Sequence, residues 1–501
     1  MRTIIYSSYK RRLAGVLLAI LLLGAAVVYF FTYRQNYLVV PPSQTAEPVR
    51  RPGCSCPLDR NLPILIIETD GQDIDVMPSR TQKIVHGTEM VLWETSPRYR
   101  VNLSLYEPEE HGYTCVCGAA EPVVNQKVTI NLRGQSSMSM PKKQYTLNLL
   151  DDAGDPQPIS LLGMPEDYQW VLNASYMDKS LIRNALAYTM AGQTMEYAPR
   201  YEFCEVLINS GNSPTTFVDH YAGVYLLLEK IERRPHRIDI KKADTRYSDI
   251  SFIFSRDKIK ADDDIYYTDW GTLDDEFIVG NDGRIRQRAV LTGNYPGASM
   301  TSEYRARIID YINRFEYSLS SKEFDKDGVG YREYIDVDSF VQFAMVNEIF
   351  KNVDGGEVST YFYKDLGGKM KAGPIWDFDL TLGNSSIQEM QDPAGLRITD
   401  VSWFSRMFQD RSFCAEYERV YRLLRKSQWE NAKVEAMADD IIRKLGPAAW
   451  RNTQRWYSDP ISYAGYDYQQ EVEDLKEFIR LRMEWMDRHI HLVYRIRENT
   501  L

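Results

Sequence analysis

The longest apolar run in the chain is Leu13 to Phe31, LAGVLLAILLLGAAVVYFF, which holds no charge. At ~1.5 Å per helical residue it covers a hydrocarbon layer of about 30 Å. Lys10, Arg11 and Arg12 precede it, and Arg34 is the one early charge beyond it. That asymmetry predicts a cytoplasmic N-tail over residues 1–12, a single transmembrane helix over 13–31, and an extracytoplasmic body. A cleaved signal peptide is the competing reading, although the run is long for one and no small-x-small site follows closely. Residues 32–60 lack periodicity and carry Pro, Arg and Ser/Thr, so they read as an extended linker.

Beyond the linker the period changes to two. Ile64–Ile67, Met90–Trp93, Val101–Leu105 and Val128–Leu132 are short β-branched or alternating runs. They predict a small β-rich region over 61–124 that feeds into the domain after it. Lys142–Leu149 alternates too, with Lys143, Tyr145, Leu147 and Leu149 on one face and Lys142, Gln144, Thr146 and Asn148 on the other. Asp178–Met195 predicts a helix, capped by Asp178 or Ser180, with Leu181, Ile182, Ala185, Leu186 and Met190 as its apolar stripe. Glu202–Asn209 and Tyr221–Leu228 predict two strands, and Glu229 stands where the second ends. Residues 244–300 are polar, acidic and Gly-bearing and read as an insertion. Helical spacing then dominates, in Ser302–Leu319, Val337–Asn352, Glu416–Arg425 and Glu471–His491. The order is β-rich first and α-rich second, which is an α+β class.

Charge and cysteine content narrow the function. With 60 basic and 70 acidic side chains in 501 residues, the net charge is −10, which argues against a nucleic-acid target. Six Cys cannot staple a body of this size. In an oxidising exterior, Cys54 with Cys56 and Cys115 with Cys117 predict two disulfides of undetermined connectivity, with a zinc site as the less favoured use. Cys204 and Cys414 stand in apolar settings and read as buried thiols. The chain has no His-Glu-x-x-His, no Gly-x-Ser-x-Gly and no Walker-type loop, so the common hydrolase and P-loop chemistries have no support.

Two acidic motifs carry the candidate chemistry. Asp354 lies in NVDGG after a helix, and Asp377 and Asp379 lie in PIWDFD after a strand pair, Thr360–Lys364 with Lys369–Ala372. A hairpin between them brings Asp354 and Asp377 to one edge, and on a strand Asp377 and Asp379 share a face. Taken singly, either motif reads more readily as structural, one Asp capping a turn and the other a solvated hairpin residue. Together they suit a hard divalent cation, which takes oxygen ligands. The small-residue turn Arg133-Gly134-Gln135-Ser136-Ser137, leading to a lysine-bearing strand, is one way to build a phosphate cradle.

Five stretches in order make the chain resemble the CotH-like protein kinase family (spore coat protein H): RGQSSMSMPKKQYTLNL, WVLNASYMDKSLIRNALAYTMA, YAGVYLLLEKI, FAMVNEIFKNVDGGEVSTYFYKD and KMKAGPIWDFDLTLGN. The closing helix LKEFIRLRMEWMDRHI fits as well. The resemblance implies an atypical, kinase-like bilobal fold over 125–501 that uses ATP with Mg²⁺ or Mn²⁺ to phosphorylate Ser or Thr of an exported protein. It implies Asp354 as the catalytic Asp, Asp377 with Asp379 at the metal, and Lys142 or Lys143 at the phosphates, Lys143 being favoured. Arg133, Gly134, Ser136 and Ser137 would cover the phosphates, and Glu229 would sit at the hinge near adenine. Gln135 departs from the family's usual Asn, and Ser359 stands where ordinary kinases hold a second metal ligand. Because ATP is scarce outside cells, the alternative is a surface or envelope binding scaffold that keeps the fold without phosphotransfer.

Overall fold

The computed structural model of the protein describes residues 60–496, apart from 86–87, 110–111, 118–119, 212–219, most of 267–289, 298–299 and 459–465. The predicted N-tail, the apolar run and Cys54 and Cys56 lie outside the described residues. Among those described, no helix is long and apolar enough to cross a membrane.

Seven strands close into a barrel. The first nine strands are β1 (Ile64–Glu68), β2 (Arg80–Val85), β3 (Thr88–Trp93), β4 (Tyr99–Tyr106), β5 (Val124–Leu132), β6 (Tyr145–Leu150), β7 (Gln169–Asn173), β8 (Tyr201–Asn209) and β9 (Tyr221–Glu229). The barrel order is β1-β4-β5-β6-β7-β9-β8. Every pairing is antiparallel except the one that closes the ring, where β1 runs parallel to β8 from Ile64↔Glu205 to Glu68↔Asn209. This corrects the expected fold class. The β-rich part is a closed barrel and not the open lobe of a bilobal kinase-like fold, and the expected transmembrane helix finds no counterpart among the described residues. Local alternation predicts strands, but the closing pair joins segments far apart in sequence, and no local pattern encodes it.

Leu65, Ile67, Leu103, Ile130, Leu147 and Trp170 fill the barrel interior. On β7, β8 and β9 the outward residues Val171, Phe203, Val224, Leu226 and Leu228 are buried as well, in a second core shared with the helices. Burial on both faces is why these strands read as continuous apolar runs, whereas β4 and β5 alternate.

The remaining strands are β10 (Phe252–Asp257), β11 (Ile278–Val279), β12 (Ile285–Arg286), β13 (Val290–Tyr295), β14 (Thr360–Lys364) and β15 (Lys371–Ala372). A second sheet has the order β13-β10-β14-β15. Its inner strand β10 falls within 244–300, and Phe252, Ile253 and Phe254 are buried there, so this segment contributes core as well as polar surface. The longer helices are α1 (Arg183–Ala191), α2 (Ser302–Ser320), α3 (Val337–Ile349), α4 (Arg411–Arg425), α5 (Asn431–Leu445), α6 (Pro447–Trp456) and α7 (Tyr468–His489). Asp336 caps α3 by accepting from Ser339 N, and Thr301 caps α2 in the same way from Tyr304 N.

Three local expectations shift. The first helix begins at Arg183, because Asp178 and Ser180 build an irregular turn before it; the Asp178 carboxylate still accepts from Arg183 N at 2.8 Å. Strand β6 begins at Tyr145, which leaves Lys142 and Lys143 in the segment ahead of it. Asp377 and Asp379 follow β15 in irregular backbone, with φ of 64° at Asp377, so they do not share a strand face.

Candidate active site

The predicted acids meet where the barrel, the second sheet and α1 adjoin. Asp354 is set by the end of α3. There Asn352 Nδ2 donates to Asn347 Oδ1 at 2.9 Å, and Asn352 Oδ1 accepts from Asp354 N at 3.1 Å. Gly355 is required here, since a Cβ would lie 2.5 Å from Asn347 Oδ1. Four non-glycine residues of this region adopt positive φ: Lys351 (47°), Ser359 (51°), Asp377 (64°) and Leu382 (48°). Each costs of order 1 kcal/mol or more, and such strain persists where surrounding contacts over-determine the backbone.

Asp379 is buried, and Asn184 of α1 holds it. Asn184 Nδ2 donates to Asp379 Oδ1, while Phe378 N donates to Asn184 Oδ1 at 2.8 Å. One amide side chain thereby fixes the whole Asp377-Phe378-Asp379 turn. Next to it, Arg183 donates to Asp178, to Glu471 at 3.0 Å and to Thr381 O at 3.0 Å, so α1, α7 and the acidic turn are tied together. Ser359 donates its hydroxyl to the half-buried Asp377.

A fourth acid, Asp257, ends β10. Burial raises its carboxyl to about 6, and the charge of Asp377 adds to the rise. Asp354 is also pushed up to about 6, first by burial and then by Asp377. Asp377 is raised by burial, against the pull of Arg133 and Lys258. Asp379 is raised well above the usual range by burial, then by Asp377 and Asp178. Burial is the first cause in all four, and the charge of Asp377 adds to the rise at Asp257, Asp354 and Asp379.

Neither candidate lysine points its ammonium at open solvent. Lys142 is buried, and its Nζ donates to Ala174 O at 2.7 Å, to Asn452 Oδ1 at 3.0 Å and to Val224 O. Those three bonds use every proton it has. Burial pushes it down to about 7, against the attraction of Asp379. Lys143 is half-buried and donates to Met138 O at 2.8 Å. Of the two, Lys142 is the one electrostatically coupled to the acids.

The turn from Arg133 to Ser137 closes tightly. Gly134 has φ of 93°, and a Cβ there would sit 1.8 Å from Ser137 Oγ. Arg133 lies over the Trp376 ring, 5.0 Å from its centre. Ser136 Oγ accepts from Lys258 Nζ at 3.2 Å, and Gln135 Nε2 donates to Lys258 O at 2.6 Å. Glu229 is fully buried, and its carboxylate is engaged by Arg200 N, Nε and Nη2 and by Tyr197 OH. It therefore stands behind the cleft. The residues just after it, Lys230, Glu232 and Arg233, line a cavity of about 240 Å³ together with Arg133, Tyr361 and Trp376.

Sequence reasoning missed Asn184, Asp257 and Lys258. Asn184 sat in the quoted stretch SLIRNALAYTMA as a polar residue on an otherwise apolar helix, a signal that could have been followed. Asp257 and Lys258 fell within the segment read as an insertion.

The cavity of aromatic and cationic side chains shares Arg133 with the surroundings of Asp377. The chain belongs to the CotH family, whose description is "CotH kinase protein" and which matches residues 130–486. The inner spore coat protein H of Bacillus subtilis (strain 168) is 24% identical over 378 residues, which cover 74% of this chain and 90% of that protein.

Proposed function

We propose that this protein is an extracytoplasmic phosphotransferase that moves the γ-phosphate of ATP, with Mg²⁺ or Mn²⁺, to Ser or Thr of an exported protein. The observation that carries the reading is the gathering of Asp354, Asp377, Asp379 and Asp257 beside Arg133 and Lys258. Family membership supports it. The run Leu13–Phe31, with the basic residues ahead of it, supports placement of the body across the membrane.

Among the described residues no group of three or more Asp, Glu, His or Cys is placed to hold a metal ion by itself, so a hard divalent cation would draw on two carboxylates here and complete its shell with phosphate oxygens and water. Carboxylates disfavoured by burial, and at Asp354 and Asp379 by the charge of Asp377 as well, are relieved by a +2 charge, and oxygen is the ligand such ions take. Asp377 and Asp379 would hold the ion, which supplies charge neutralisation at the phosphates. The cavity walled by Trp376, Tyr361 and Lys230–Arg233 suits a nucleotide base, with Arg133 at its inner side.

In the transfer, the acceptor hydroxyl oxygen forms a bond to the γ-phosphorus. The bond from that phosphorus to the β–γ bridging oxygen breaks, and ADP leaves with the electron pair. Asp354 orients the hydroxyl and takes its proton, a role its raised proton affinity favours near neutral pH. The test is transfer of label from γ-labelled ATP by the purified protein with Mg²⁺ or Mn²⁺. Label on the wild type and at least ~100-fold less on Asp354→Ala and Asp377→Ala, with a melting temperature no lower than that of the wild type, is the expected result. No label, together with no ATP-dependent rise in melting temperature, would leave a binding scaffold.

A further inference from the structure

Lys258 comes directly after β10, inside a segment whose composition is that of a surface insertion. We infer that Lys258 is the cation that meets the charge growing on the β–γ bridging oxygen as the phosphoryl group transfers, and that the β2–β3 hairpin holds it there. The inference rests on the phosphotransfer reading above and assigns that site a catalytic lysine.

Three observations carry it. First, the lysines that sequence offers for the role are committed elsewhere: Lys142 donates to three oxygens and Lys143 to Met138 O. Second, Lys258 is bound at both ends by the small-residue turn, through Ser136 Oγ to its ammonium and Gln135 Nε2 to its carbonyl. A hydroxyl is a weak partner for an ammonium and leaves protons for a ligand. The same charge acts on both Asp354 and Asp377, so it lies within electrostatic reach of the acid that orients the acceptor and of the acid assigned to the metal. Third, the segment is clamped. Val85 and Leu92 of the hairpin share a small core with Ile259, Ala261 and Ile265. Ala261 N donates to Trp93 O at 2.9 Å, Lys83 Nζ to Ala261 O at 2.7 Å, and Thr95 Oγ1 to Asp262 Oδ2 at 2.9 Å. A polar surface loop has no need of such a clamp, whereas a lysine that must meet a developing charge does.

In the step written above, negative charge grows on the bridging oxygen as its bond to phosphorus breaks. The Lys258 ammonium offsets that charge without gaining or losing a proton. Its effect therefore falls on kcat.

The experiment measures steady-state transfer and ATP-dependent melting for wild type, Lys258→Met and Lys258→Arg. The expected result is a fall in kcat of about 100-fold in the Met variant, with KM for ATP changed less than about threefold and melting temperature kept. The Arg variant should recover at least about a tenth of the wild-type rate. A Met variant within about twofold of wild type, in a preparation where Asp377→Ala is inactive, overturns the inference and leaves the kinase reading standing. A Met variant that loses ATP binding and melting temperature together gives Lys258 a structural role and also overturns it. A wild type that neither transfers label nor binds ATP overturns both. Should the Met variant not fold, Lys258→Gln keeps a donor for Ser136 without the charge, and an unchanged rate there is decisive against.

Discussion

At the scale of single residues, the acid cluster lowers stability in return for its chemistry. The Asp354 carboxyl has its folded value raised to about 6 from 3.8. Above pH 6 both folded and unfolded forms are ionised, and the fold bears the cost of a disfavoured charge. As pH falls from 6 toward 4 the folded form takes up its proton first and the cost disappears. Two units correspond to ~3 kcal/mol at most, less where the carboxyl keeps an edge to water. Asp354→Asn should therefore melt higher than wild type at pH 8, and the two should converge near pH 4 in thermal scans. Lys142 makes the opposite prediction. Lys142→Met would remove the ammonium donor from Ala174 O and Val224 O, while Asn452 Oδ1 keeps its bond from Val224 N, at a cost of ~1–3 kcal/mol. Chemical denaturation should read this loss even in an inactive background. Asp354 and Asp377 were legible in the sequence because each sits in a run of distinctive neighbours, NVDGG and PIWDFD. Asp257 and Lys258 were not, since nothing local tells a polar residue on a loop from one aimed into a cleft.

At the scale of elements, what sequence hid was pairing. The strands of β4, β5 and β6 announced themselves through alternation, and α2, α3 and α7 through helical spacing. Their partners did not. Strand β10 pairs with β14, Ser255 opposite Tyr361, across more than a hundred residues, and a polar surrounding masked it. Of the hairpin β2–β3 the sequence showed only the run Met90–Trp93; the two strands form a sheet of their own, and the hairpin's function comes from what it lies on. Leu92→Ala should open the small core under it, costing ~2–4 kcal/mol locally. Amide exchange should then quicken in residues 258–265 while the barrel strands stay protected. Gly134→Ala tests the neighbouring turn. With φ of 93° and Ser137 Oγ in the way, the substitution should raise KM for ATP by an order of magnitude or more.

For the whole molecule, the acids and the cations arrive from five places spread between residues 133 and 379. The turn after β5, the helix α1, the end of β10, the end of α3 and the turn after β15 each bring one or two. No fragment keeps the set. A divalent ion should stabilise the intact protein, by about 2.7 kcal/mol at a hundred times its dissociation constant. Because protons compete for the same carboxylates, the Mg²⁺-dependent rise in melting temperature should be larger at pH 8 than at pH 5, and Asp377→Ala should lose most of it.

The parallel closure of β1 on β8 sets a schedule for the chain as it is made. Ile64 meets Glu205 and Glu68 meets Asn209, so β1 must wait for some 140 more residues before its second neighbour exists. At roughly 5–20 residues per second that is a delay of about 7–30 s, during which an apolar strand, Ile64-Leu65-Ile66-Ile67, has an open edge. Lys142 waits longer still, for Asn452 of α6. The barrel is thus finished from its far end, and a newly made chain passes through a long interval in which holding by a chaperone, or delivery in an unfolded state, guards it against sticking to its own copies.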